Sequence, residues 1–145
     1  MIVTAKDLRT AGACERVVAR LEREWPNGAE ITVAVCLRAQ SLGADLNWAA
    51  YKLFGPKAQH SYQTAVAAAV GRRNAAFDAA EREYRQDAAV ARENYERSRP
   101  DGLYILQDTI GTLGARMRFA KDDAGLDFRI EWASAFVNAS QCEEE

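Results

Sequence analysis

Proline is almost absent from this sequence, with three residues in 145, at Pro26, Pro56 and Pro100. Because proline removes a backbone donor and clashes with the preceding turn, the long stretches between these positions are open to helix. Nine glycines add few further interruptions. Histidine occurs once, at His60. No Cys or carboxylate cluster lies within a turn of it on the same face, so its reading is a solvated or capping side chain and not a metal ligand. The three cysteines, Cys14, Cys36 and Cys142, are odd in number and widely spaced, which argues against a disulfide framework. Cys14 and Cys36 read as small buried hydrophobes, and Cys142 as exposed.

No sign of charge dominates. Nineteen Lys and Arg face 21 Asp and Glu, for a net charge of −2. That balance offers no electrostatic footprint for nucleic acid and no acidic excess able to imitate it. Arg outnumbers Lys fifteen to four, which reads as a GC-rich coding bias. Apolar runs of membrane-spanning length are missing. The first residues lead into Asp7-Leu8-Arg9 and not into an apolar stretch, so no signal peptide is expected and a reducing cytoplasm is the default compartment. There is no Gly-rich phosphate loop, nucleophile elbow, Walker pattern or zinc-type Cys/His spacing. The expectation is a protein without catalytic residues, cofactor or metal.

What the chain does have is alanine, 28 residues of it. Alanine is the best helix former and fills little volume, so the composition predicts an all-α fold of thin, closely approaching helices. The length suits a single helical domain over 1–145. Its subdivisions are a short-helix region (1–55), a long helix (56–99) and a C-terminal helical region (100–145).

The long helix carries the clearest signal. Tyr62, Arg73, Tyr84 and Tyr95 stand eleven residues apart. Adding Val66, Ala69, Phe77, Ala80, Ala88 and Ala91 gives steps of three or four throughout, which keep one face in register over about 57–98. An eleven-residue repeat favours a straight or slightly right-handed helix over a heptad coil. Gly71-Arg72-Arg73-Asn74 is its weak point, because glycine costs about 1 kcal/mol against alanine in a helix interior. The alternatives are one continuous helix or a hairpin folded at Gly71. The spacing resumes in phase beyond the glycine, which favours the continuous helix.

Before Pro56 the chain reads as short helices with clear stops. Thr4 and Asp7 make a capping box that Gly12 ends. Val17, Val18, Leu21 and Trp25 form an amphipathic stripe closed by Pro26-Asn27-Gly28. In Ile31 to Cys36, β-branched residues cluster. A strand is one reading, but Thr32 can cap a helix there and Gly43 can stop it. Asp45 caps a segment buried through Leu46, Ala49, Ala50 and Leu53. After the breaker Pro100-Asp101-Gly102, Leu103, Leu106, Ile110, Leu113 and Met117 predict an antiparallel helix over about 103–121, ended by Asp122-Asp123 and Gly125. Residues 126–140 fit either a strand (Leu126, Phe128, Ile130, Trp132) or a helix (Leu126, Ile130, Ala133, Val137), and helix is preferred. Gln141 to Glu145 reads as a tail.

Between Arg72 and Arg99, seven arginines face six acids, which is how a solvated helix with i,i+4 pairs looks. The aromatic row on the long helix is either core, the preferred reading because alanine alone would underfill the interface, or a ladder offered to a partner. The candidate partner-binding residues are therefore Tyr62, Arg72, Arg73, Tyr84 and Tyr95, with Phe128, Trp132 and Phe136 on the C-terminal segment. Tyr, Trp and Arg are the usual interface anchors. An alanine-lined helix is too thin to be covered by one short neighbour, so a homodimer is expected.

Asp7-Leu8-Arg9-Thr10-Ala11-Gly12-Ala13-Cys14 is followed by the Pro26-Asn27-Gly28 turn, the Leu46-Asn47-Trp48-Ala49-Ala50 motif and an Ala-rich helix with tyrosines in an eleven-residue register. This order resembles small, largely uncharacterised phage and prophage proteins over roughly the first hundred residues. The sequence departs from the commoner pattern at Arg73 and in its C-terminal third. The resemblance implies a mobile-element origin and an anti-CRISPR-like role: a protein of the host cytoplasm that binds and sterically inhibits a bacterial defence complex such as a CRISPR effector. A self-associating scaffolding protein is the alternative, followed by a nucleic-acid-binding regulator.

Overall fold

The computed structural model describes residues 1–97 and 102–142. The Pro100-Asp101 part of the expected breaker and the Glu143–Glu145 tail lie outside them. The described chain is all-α apart from one two-stranded ladder. In order it runs β1 (Ile2–Val3), α1 (Ala5–Thr10), α2 (Glu15–Glu24), β2 (Ala29–Glu30), α3 (Val33–Ser41), α4 (Leu46–Leu53), α5 (Pro56–Arg97) and α6 (Gly102–Gln141).

Local chemistry sets the short elements. Thr4 Oγ1 accepts from the Asp7 amide, and the Asp7 carboxylate accepts from the Thr4 amide at 2.9 Å, completing the capping box of α1. Thr32 caps α3 by accepting from the Val35 amide at 3.2 Å. Asp45 caps α4 by accepting from the amides of Asn47 and Trp48. Ile31 to Cys36 is thus the start of a helix. The strand lies just before it, where Ile2 pairs with Glu30 and Val3 with Ala29 in antiparallel register. Gly28 makes this pairing feasible: its φ is +90°, and an added Cβ would sit 3.0 Å from Ile2 Cγ2.

The chain divides into two compact units, one formed by the residues up to Ala69 with those from Arg129 onward, the other by Val70–Phe128. The sequence subdivisions at 55/56 and 99/100 follow element breaks. The unit boundaries instead fall inside both long helices.

The first unit has a conventional core. Cys36, Leu46, Ala50, Phe54, Ala58, Tyr62, Ala133, Ala135, Phe136 and Ala139 form one buried cluster, with Met1, Ile31, Leu53, Val66 and Trp132 packed against it. Val18 of α2 is fully buried. Arg9 holds α1 to α2 by pairing with both Glu15 (2.9 Å) and Glu22 (2.6 Å).

The second unit is an antiparallel helix pair. Arg73 lies over Phe128, Glu81 pairs with Lys121, and Glu83 pairs with Arg116, so ascending positions on α5 meet descending positions on α6. Every residue of the eleven-residue register, from Tyr62 to Tyr95, is buried or half-buried. The same 3-4-4 spacing recurs on α6 through Leu106, Ile110, Leu113, Met117, Lys121, Ala124, Phe128, Trp132, Ala135 and Ala139, all likewise shielded. Among the described residues, the buried hydrophobic ones of the second unit are Ala80 and Ala88.

Two sequence expectations are corrected on α6. Asp122-Asp123 and Gly125 do not end it, and residues 126–140 are not a separate segment: α6 is continuous for 40 residues. Gly125 lies within the helix, where glycine costs stability but forces no break. Leu103 is 49% exposed and is not a contact of the stripe.

Gly71 lies inside α5, which is continuous for 42 residues. An added Cβ meets nothing within 4 Å at Gly71 or at Gly125. Gly71→Ala and Gly125→Ala should therefore each raise the unfolding free energy by about 0.5–1 kcal/mol in urea denaturation. A loss of stability at either site would mean that the glycine supplies a bend the helix needs.

Candidate partner-binding surface

The eight residues singled out from the sequence separate into two groups. Tyr62, Trp132 and Phe136 belong to the interior of the first unit. Tyr62 is 3% exposed and Phe136 2%. Trp132 Nε1 donates to the Tyr62 hydroxyl, which in turn donates to Asn47 Oδ1 at 2.9 Å. The Tyr62 ring meets Phe136 edge-on at 5.9 Å, and Phe136 stacks in a tilted arrangement on Phe54 at 4.7 Å. Tyr62 and Phe136 are corrected from candidate anchors to core residues, and Trp132 packs half-buried against that core with its indole N–H bonded to Tyr62. Burial pushes the Tyr62 phenol up to about 12, against the smaller opposing effect of the Trp132 hydrogen bond.

Arg72, Arg73, Tyr84, Tyr95 and Phe128 belong to the second unit. Arg73 takes an otherwise apolar register position by stacking. Its guanidinium lies 4.4 Å from the Phe128 ring centre and 5.8 Å from that of Phe77, and it bonds Asn74 Oδ1 at 3.2 Å. Arg73 and Phe128 thus engage each other. Tyr84 and Tyr95 are half-buried along the register, and Arg72 is exposed.

The exposed apolar surface of this unit includes residues that were not among the partner-binding candidates read from the sequence. On α6, Phe119 is 70% exposed and Leu126 48%. They stand two turns apart on one face, and the exposed carboxylates Asp122, Asp123 and Asp127 flank them. Val90 is 56% exposed and Ile105 70%. These two help line an open groove of about 400 Å³, with Tyr95, Leu106 and Leu113 among its other walls. Each of Val90, Ile105, Phe119 and Leu126 is a large apolar residue that falls off the eleven-residue register, and that was the signal available in the sequence.

Two ion pairs join α5 to α6. Lys121 Nζ donates to Glu81 at 2.5 Å and lies 5.7 Å from the Phe77 ring centre. The hydrogen bond from Lys121 holds the Glu81 carboxyl below the usual carboxylate range. Arg116 and Glu83 pair at 2.7 Å.

The three cysteines differ in exposure. Cys14, expected to be buried, is exposed at the N-cap of α2, where its side chain makes no capping bond. Cys36 is buried, and desolvation pushes its thiol up to about 11. Cys142, expected to be exposed, packs half-buried against the first unit's core. Among the described residues no three His, Cys, Asp or Glu side chains cluster as metal ligands would, and no helix is long and apolar enough to cross a membrane. Compared with known protein families, curated proteins and solved structures, the chain matches none.

Ionisation of Tyr62 gives a direct check on the aromatic interior. Its folded-state pKa is raised above the ordinary phenol value of 10.0, so its contribution to stability is intact below that pH and is lost as pH rises toward about 12. The native protein should lose more stability over this window than Tyr62→Phe, measured by urea denaturation at matched pH. Equal losses in both proteins would place the phenol in water.

Proposed function

We propose that this protein acts stoichiometrically, without turnover, by binding and sterically blocking a bacterial defence complex from the host cytoplasm. The phage-like opening, Asp7 to Cys14, supplies the biological setting. The observation that carries the binding role is the pair Phe119 and Leu126, large apolar side chains held outward on a rigid helix. Exposed apolar side chains that share a face are candidates for an interaction surface. With Asp122, Asp123 and Asp127 alongside, the matching surface on the target is apolar with a basic rim. The lack of a nucleophile, base and orienting group in any recognisable motif supports a mechanism by occupancy.

A homodimer is part of this reading, because the second unit covers its large apolar residues only by half. That same incomplete cover favours the scaffolding alternative, in which self-association is the whole function.

Inhibition of CRISPR interference should saturate at a fixed molar ratio of this protein to effector. Phe119→Asp should weaken inhibition by about 30-fold, the effect of removing a central anchor worth about 2 kcal/mol. Phe119 is largely solvent-exposed, so this variant should keep its helical circular dichroism. Inhibition by sub-stoichiometric amounts that grows with time would mean turnover and would overturn the proposal. Full activity of Phe119→Asp would displace the binding surface from this face.

A further inference from the structure

The second unit is a layer of two helices, and one of its flanks is built to meet itself. On α5, Glu83, Asp87, Val90 and Asn94 follow one another in steps of four, three and four, so they share a side. On α6, Ile105, Thr109 and Arg116 form the corresponding row. The Glu83–Arg116 ion pair at 2.7 Å fixes their relative height. In an antiparallel pair, a step forward on one helix is level with a step back on the other. Val90 is therefore level with Thr109, and Asn94 with Ile105.

We propose that this flank is the contact between two copies of the chain, related by a two-fold axis parallel to the helices, so that α5 of one copy lies on α6 of the other. The proposal rests on the pairing proposed above and adds the face and the axis. Charge selects the axis. With the two-fold parallel to the helices, Glu83 meets Arg116 of the other copy, Asp87 meets no acid, and Ile105 of each copy enters the groove beside Val90 of the other. A two-fold laid across the helices between Glu83 and Asp87 would instead set these two against the same acids of the second α5. Like charges in that position oppose association. The groove supplies the apolar part: it holds about 400 Å³ of open space over Tyr95, Leu106 and Leu113, and Val90 and Ile105 stand unused on its rim. Deeper along the flank, the exposed Ala120 leaves room for close approach. Phe119 and Leu126 lie on the side of α6 turned away from α5, so pairing leaves them free for a target.

Charge reversal in separate chains tests this arrangement. The native protein should show a dimer mass by light scattering at tens of micromolar, and Glu83→Arg and Arg116→Glu should each shift to the monomer mass. Mixed in equal amounts, the two variants should recover the dimer mass, because opposite charges then face each other across both copies of the contact. An ion pair acting only within one chain cannot produce that recovery. Ile105→Asp, at a position 70% exposed in the single chain, should keep native helicity by circular dichroism and also be monomeric. A native monomer would overturn both the pairing and this face. A dimer that survives Ile105→Asp or either charge reversal, or a mixture that stays monomeric, would overturn this face and axis while leaving the pairing itself intact. Loss of target inhibition by Ile105→Asp without any change of mass would assign the groove to the target and overturn the proposal.

Discussion

Alanine at the contact positions of the second unit's helix pair is the constraint from which the rest of that unit follows. Ala80 and Ala88 are its buried hydrophobic residues among those described, and alanine fills little volume. A core of alanine leaves the larger side chains only partly covered: Phe77, Tyr84, Tyr95, Leu113 and Met117 are each half-buried. The repeat brings a second difficulty, because a sliding displacement by one eleven-residue unit would again match small residues with small. Charged residues on the register remove that degeneracy. Arg73 finds the Phe128 ring and Lys121 finds Glu81 at only one offset, as a polar residue at a core position fixes register in a coiled coil.

The first unit solves the packing problem differently. Short capped helices and a two-residue ladder surround Phe54, Tyr62 and Phe136, so aromatic volume replaces alanine contacts. The polar atoms of its aromatics are satisfied in sequence, from Trp132 through Tyr62 to Asn47. A buried network of this kind specifies one arrangement of its members, because any displacement strands a donor or an acceptor at a cost of about 1–3 kcal/mol.

Much of this was legible in the sequence because helix signals are local. The caps at Thr4, Thr32 and Asp45 and the register from Tyr62 to Tyr95 depend on spacings of two to four residues, and each stands where its spacing places it. The β1–β2 ladder was invisible, since two residues carry no period. Residues 126–140, where helix was the preferred reading and is what the structure has, offered a strand alternative because two helical faces interleave there. Phe128 and Trp132 lie on the register, whereas Leu126 and Ile130 point to solvent, and together they imitate the alternation of a strand. Gly125 misled for another reason: a glycine ends a helix only where a positive φ is used, as at Gly12, Gly28 and Gly43. The candidate surface was the least legible part. Aromatic identity pointed to Tyr62, Trp132 and Phe136, which the core consumes. Register then separates the residues the fold uses from Val90, Ile105, Phe119 and Leu126, which it leaves outside.

These features connect composition to the proposed role. On the proposed reading, a thin helix pair with uncovered apolar edges associates through those edges. The dependence of that unit on a neighbour is most directly tested by amide hydrogen exchange, read by mass spectrometry across a dilution series. Protection over residues 83–94 and 105–116 should fall as the protein is diluted, while that of α2, α3 and α4 stays constant. Exchange that is independent of concentration along both long helices would show that the helix pair is complete in a single chain and would contradict the account.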